Sequence, residues 1–325
     1  MNPDVAAAVP KLVERGVLAP GTAAPLQRVA RGELVSIREE LRLALYLGVT
    51  LLTAGVGLLV KENLDRIGPV TIAAAIGIAA AACLAWVART APPFAWTAQP
   101  SPHVAFDYLL LLGALLVAAD LAYVEVKFTP LGANWPWHLL IVALLAGGLA
   151  VRYDSRVLFT LALTTLAAWR GVSLSLLGRS AWRLDDPAAL RWNAVGCGVL
   201  FVALGWALVR AGRKPHFEPS AAHLGWLLVL GGLASGALVP DRLGTPWPAF
   251  ALALLLAAGG LAAGTFRARR FSLFALGAAG AYVAVSRFAV AGIHDDFAVL
   301  AWFCLSSIAC IVGLVAAQRR MRGPA

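Results

Sequence analysis

The chain has 325 residues, of which 60% are hydrophobic and 14% charged, and a mean hydropathy of +0.79. A soluble domain carries about a quarter charged residues, so the apolar surplus here has to face lipid. The net charge of +10 would suggest nucleic acid in a soluble protein, but a membrane protein acquires such a balance by retaining Lys and Arg on its cytoplasmic side.

Residues 1–42 read as a short cytoplasmic helical module. Val5, Val9, Leu12 and Val13 line one side of an amphipathic helix that Gly16 stops. Ala19-Pro20-Gly21 is a turn, a second helix is expected over Thr22 to Arg31, and a third from Glu33 runs unbroken into the first apolar run. Six basic residues face five acidic ones in this module, too little surplus to neutralise a nucleic-acid backbone. It is read as a cap or a docking element for a protein partner, with no nucleic acid. The first apolar run starts near Leu43, too far along for a cleaved signal peptide.

Unbroken apolar runs follow at about 43–60, 70–88, 104–124, 137–151, 157–177, 193–210, 221–239, 248–266, 271–289 and 297–317. The fold class is therefore an all-α polytopic membrane protein with about ten transmembrane helices. The fourth run is short, so it has to borrow Trp135 and Pro136 or lie partly re-entrant. With both termini in the cytoplasm, that side holds eighteen of the 27 basic residues and the whole net charge of +10, and the other side is neutral. The positive-inside rule favours this orientation. Trp135, Trp137, Trp169, Trp182, Trp192, Trp247 and Trp302 then fall at outer helix ends, and Trp86, Trp96, Trp206 and Trp226 towards inner ones, as interfacial anchors. Cys83, Cys197, Cys304 and Cys310 all lie in apolar runs, with no disulfide or zinc spacing.

Leu12-Val13-Glu14-Arg15-Gly16-Val17-Leu18, then Leu47-Gly48-Val49 and Ala54-Gly55-Val56-Gly57, then Glu62-Asn63-Leu64-Asp65-Arg66-Ile67-Gly68 resemble the membrane family called domain of unknown function 2157. That family has an Asn-Trp pair where this chain reads Asn63-Leu64. The resemblance covers about the first ninety residues and implies a bacterial inner-membrane protein; it names no reaction.

The segment 131–150 aligns without a gap to 243–262, an offset of 112, with eleven of twenty positions identical. Trp135/Trp247, Pro136/Pro248, Gly147/Gly259 and Gly148/Gly260 are among them. The offset pairs helix four with helix eight, so the copies run the same way through the membrane. A parallel internal repeat results, helices 3–6 (104–210) and helices 7–10 (221–317), preceded by helices 1–2 (43–88) and followed by a basic tail (318–325). Paired glycines at corresponding positions suit either a substrate site between helices four and eight or close packing, to which the GxxxG spacings Gly232/Gly236 and Gly260/Gly264 also point.

Charged groups at membrane depth complete the candidates. Asp120 and either Arg170 or Arg287 stand at similar depth and make a plausible ion pair, either a proton- or anion-sensitive site or a structural pair. The substrate-binding candidates are thus Asp120, Arg170, Arg287, Gly147, Gly148, Gly259 and Gly260. Asp185-Asp186 and His294-Asp295-Asp296 read as solvated turns, and no metal, cofactor or catalytic motif is called for. The expectation is a non-enzymatic bacterial inner-membrane protein, either a small-molecule or lipid carrier or a scaffold, sensor or complex subunit.

Overall fold

The computed structural model describes residues 10, 13–14, 38–177, 187–239 and 246–322. Among them the long elements are α1 Arg38–Ile67, α2 Pro69–Thr90, α3 Val104–Phe128, α4 Trp137–Tyr153, α5 Arg156–Leu177, α6 Pro187–Arg210, α7 Glu218–Leu238, α8 Trp247–Arg267, α9 Phe271–Gly292 and α10 Asp296–Arg322. Each coincides with an apolar run of the sequence. Pro10, Val13 and Glu14 are helical, and the rest of the expected amino-terminal helices, with the Asp185-Asp186 turn, lies outside the described residues. Seven helices, α2, α3 and α6 to α10, are long and apolar enough to cross a membrane, and α4 and the stretch Leu43–Val56 of α1 are shorter apolar helices.

The chain divides into two compact units, Met1–Leu59 with Pro324–Ala325, and Val60–Gly323. In the first, α1 leaves Leu43, Leu47, Leu51 and Leu52 exposed. Thr50 and Thr53 turn their hydroxyls back onto the carbonyls of Tyr46 and Val49, which satisfies both donors within the helix, as a lipid environment demands.

In the second unit sequential helices pack as hairpins, α2 on α3, α4 on α5, α6 on α7 and α8 on α9, and α7 also touches α5, α8 and α9. Short α4 does borrow the preceding Trp135-Pro136: a 3-10 turn at Gly132–Asn134 leads into it, and the carbonyls of Trp135 and Pro136 accept from the N–H groups of His138 and Leu139. Trp135 and Pro136 thereby continue the helical course ahead of Trp137.

What seats α7 is the absence of side chains. A Cβ on Gly198 of α6 would lie 2.5 Å from the Gly225 carbonyl oxygen, and one on Gly225 of α7 would lie 2.7 Å from that of Gly198. The two backbones are thus in direct contact. About three turns further along α7, Gly236 lies against the ring of Phe250 from α8. Around this contact Val229, Leu230, Leu233, Leu254, Ala258, Leu261, Leu273 and Ala284 form a continuous apolar core. Lipid tails are as apolar as these side chains, so dense van der Waals contact rather than exclusion of water favours the arrangement. At the periphery, none of the apolar stretch of α10 is buried.

Replacing Gly225 by Leu is expected to separate α6 from α7 and to destabilise the protein by about 3 kcal/mol or more. Gly259 of α8 faces open space, and Gly259→Ala should leave stability within about 0.5 kcal/mol. Thermal unfolding of the purified protein in detergent measures both.

Candidate functional site

Among the described residues, a buried polar assembly joins the α2–α3 linker to the turns after α4 and α6. Helix α6 ends where Gly212 takes the left-handed conformation, and the Arg213 N–H bonds back to the Leu208 carbonyl. The next residue, Lys214, is itself left-handed at φ 47°, an arrangement that costs a non-glycine residue on the order of 1 kcal/mol. Its N–H donates to the Trp96 carbonyl at 2.8 Å, which ties the α6–α7 turn to the linker. Pro215–Phe217 then form a 3-10 turn, and fully buried Phe217 stacks on Phe159 of α5 at 4.5 Å.

Across from this turn Asp154, left-handed at φ 61°, ends α4. Lys214 Nζ lies 2.9 Å from Asp154 Oδ1, and both side chains are almost wholly buried. His216 Nε2 approaches the same oxygen at 2.6 Å, and the Gln99 N–H donates to Oδ2. Both carboxylate oxygens are therefore engaged. Phe94 covers the ammonium, with Nζ 5.3 Å from its ring centroid. The Asp154 oxygens thus accept from an ammonium and a backbone N–H, with the His216 ring close beside them, which makes this an ion-pair junction between three connections and not an open receptor for a cation. A buried pair of this kind contributes less through its own attraction than through the cost of leaving one partner behind.

A second polar group lies at the other end of α7. Buried Arg191 of α6 donates through Nε to Ser235 Oγ at 3.2 Å and through Nη2 to the Val239 carbonyl at 3.1 Å. Arg287 of α9 donates from Nε to the Ala237 carbonyl at 3.0 Å, with its guanidinium 4.0 Å from the centre of the Trp247 ring. Two cations therefore serve the carbonyls at the end of α7, where the helix dipole is negative.

The residues singled out by sequence are dispersed. Arg287 is the cap just described. Arg170 lies beside Trp169, 5.8 Å from its ring centroid, and within reach of Cys197 on α6. Asp120 of α3 is on neither: its Oδ1 is buried without a hydrogen-bond partner, as is the Tyr123 hydroxyl one turn on, and its Oδ2 points at Gly77 of α2. The expected ion pair is not formed: Asp120 Oδ1 has no hydrogen-bond partner, and Arg287 is committed to the Ala237 carbonyl. Gly147 makes an ordinary 3.7 Å approach to Ala162, and Gly148, Gly259, Gly260 and Gly264 face open space, whereas Gly232 and Gly236 are packed tightly. Helices α4 and α8 run unbroken through their glycine pairs. They face α5 and α9 rather than enclosing a site between them. Asp295 accepts from the Ala298 N–H and so caps α10.

Residues 10–159 match the model of the family described as predicted membrane protein, domain of unknown function 2157. The resemblance carried by Leu12 to Leu18 and by the glycines of α1 is thereby shown. It extends past residue 90 to take in α3, α4 and the start of α5, and so includes the Asp154 turn, while Lys214 and α7 lie beyond the matched segment. The chain has no significant match among curated proteins or solved structures. Sequence reasoning missed Lys214, His216 and Arg191, counting two of them as loop charges. Their partners lie 44 to 62 positions away, and no local pattern announces such a pairing.

Lys214→Met should strand the Asp154 carboxylate and cost about 3–5 kcal/mol. Combining it with Asp154→Asn should recover much of that loss. Thermal melts of the two single variants, the double variant and the wild type give the coupling.

Proposed function

We propose that this protein is a non-transporting, non-enzymatic scaffold or complex subunit of the bacterial inner membrane. It has ten spans and cytoplasmic termini, and residues 1–42 form the module that docks a partner. The observation that carries the proposal is the α7 interface, where the close approach of Gly198 and Gly225 and the apolar core of α7, α8 and α9 leave side chains in contact with one another. An alternating-access carrier needs a region that water can reach in one state.

A parallel repeat supports the arrangement of α3–α6 and α7–α10 as two like units. Moving Val104–Phe128 and Trp137–Tyr153 forward by 112 gives 216–240 and 249–265, against the observed Glu218–Leu238 and Trp247–Arg267. Burial repeats as well: Leu144 and Leu256 are 66% and 68% exposed, and Ala146 and Ala258 are 1% and 0% exposed. The turns that follow share their geometry. Asp154 and Arg269 are both left-handed, and the next residues, Ser155 and Arg270, bond back to the carbonyls of Ala150 and Thr265. Three added residues in the second copy account for the change of offset. Cytoplasmic termini follow from the basic residues of the α4–α5, α6–α7 and α8–α9 turns under the positive-inside rule.

A single cysteine replacing Ala258, in a background lacking the four native cysteines, should resist small water-soluble thiol reagents until the protein is denatured. Rapid labelling would speak for an aqueous path and a carrier. Alkaline phosphatase fused after Arg213 should be inactive and after His294 active; the converse pattern would invert the orientation.

A small-molecule or lipid carrier has one observation in its favour, the unpartnered Asp120 Oδ1 and Tyr123 hydroxyl one turn apart on α3. A polar group held in an apolar bundle without a partner is costly and is a functional candidate. Asp120→Asn should then abolish uptake of the substrate into vesicles while leaving the thermal midpoint within a few degrees. Loss of folded protein would make Asp120 structural.

A further inference from the structure

Three exposed arginines at the end of the bundle that holds Asp154, namely Arg152, Arg210 and Arg213, are positioned by aromatic rings instead of by acids. Arg213 stands 4.8 Å from the centroid of Trp96, and Arg210 stands 5.2 Å from that of Trp206. Arg152 lies 5.1 Å from the ring of Tyr153 and donates to the Pro92 carbonyl at 3.3 Å. Arg152 and Arg213 thus grip the same linker, the first at Pro92 and the second at Trp96, on either side of the buried Lys214–Asp154 pair.

Three carboxylates described at this end already have partners. Asp154 holds Lys214, Glu218 holds Arg270, and Asp107 shares the single Ser101 hydroxyl proton between its two oxygens. Among the described residues none of Arg152, Arg210 and Arg213 has a carboxylate partner, so most of their N–H donors remain open. A guanidinium presents a planar fork of donors that matches a phosphate. The rings beneath them are exposed, Trp96 by 46% and Trp206 by 62%, as are Val209 and Leu204 on the same helix. Tryptophan at a helix end settles at headgroup depth, and the apolar flank below it suits an acyl chain.

We propose that Arg152, Arg210 and Arg213, with the rings of Trp96 and Trp206, form a binding site for the phosphate headgroup of an anionic phospholipid. The cations engage the phosphate, and the exposed side of α6 takes the acyl chain. A free phosphate would share the first contact and not the second. The site depends on the protein's being in a membrane, and it is independent of whether the protein is a scaffold or a carrier.

The test uses the full chain purified in detergent, with native mass spectrometry and thermal shift as readouts and phosphatidylglycerol, phosphatidylcholine and inorganic phosphate as probes. Phosphatidylglycerol is expected to bind and to raise the melting temperature, whereas phosphatidylcholine, whose choline cancels the phosphate charge, and inorganic phosphate, which lacks the acyl contact, are expected to do so at least about tenfold more weakly. Each basic residue near a headgroup contributes about 1 kcal/mol, so Arg152→Gln with Arg213→Gln should weaken phosphatidylglycerol binding about thirtyfold. Arg319→Gln with Arg320→Gln, at the end of α10, should leave it unchanged. Equal binding of phosphatidylcholine, a full shift with inorganic phosphate, or equal weakening by both double variants would each overturn the proposal. Should the first double variant not fold, a photoreactive phosphatidylglycerol on the wild-type protein decides: adducts within 91–99 and 204–213 sustain the site, and adducts confined to other segments refute it.

Discussion

Two helix backbones in contact, with no side chain between them, set the conditions for the rest of this bundle. Where Gly198 of α6 meets Gly225 of α7, α7 is drawn in far enough for α8 and α9 to close over its other sides. In lipid no exclusion of water presses helices together, so shape and contact density have to do so. The apolar core of α7, α8 and α9 depends on that first approach, because Leu230 and Leu233 could not reach Leu254 and Ala284 from a more distant axis. The peripheral helix α10 escapes this dependence.

The ends of α7 complete the argument. Its first turn is preceded by Lys214 and His216, which share the Asp154 carboxylate, and its last carbonyls are served by Arg191 and Arg287. Charges that look alike in composition therefore do different things. Lys214 and Arg191 are buried and committed to the fold, whereas Arg152 and Arg213 rest on exposed surface with donors to spare.

Much of the architecture was legible in the chain because lipid imposes a simple rule: an apolar run of sufficient length becomes a helix. All ten runs are helices, and Trp135-Pro136 extends the short fourth one as its length required. The glycine patterns were harder to interpret. Gly232-xxx-Gly236 packs and Gly260-xxx-Gly264 faces outward, and spacing alone cannot separate them, since both put small residues on one side of a helix and only the neighbour's position decides. The polar residues were the least legible. Depth along a helix suggested Asp120 with an arginine, but depth says nothing about azimuth, and Arg287 turns to the Ala237 carbonyl instead.

Asp154 and Lys214 are sixty positions apart, with α5 and α6 between them. During synthesis at about 5–20 residues per second, the lysine emerges roughly 3–12 s after the aspartate. For that interval Asp154 has no ammonium to meet it, and a carboxylate without its partner is costly to bury. The Asp154–Lys214 contact can therefore close only once α5 and α6 have both been made, which puts it among the late contacts of the bundle.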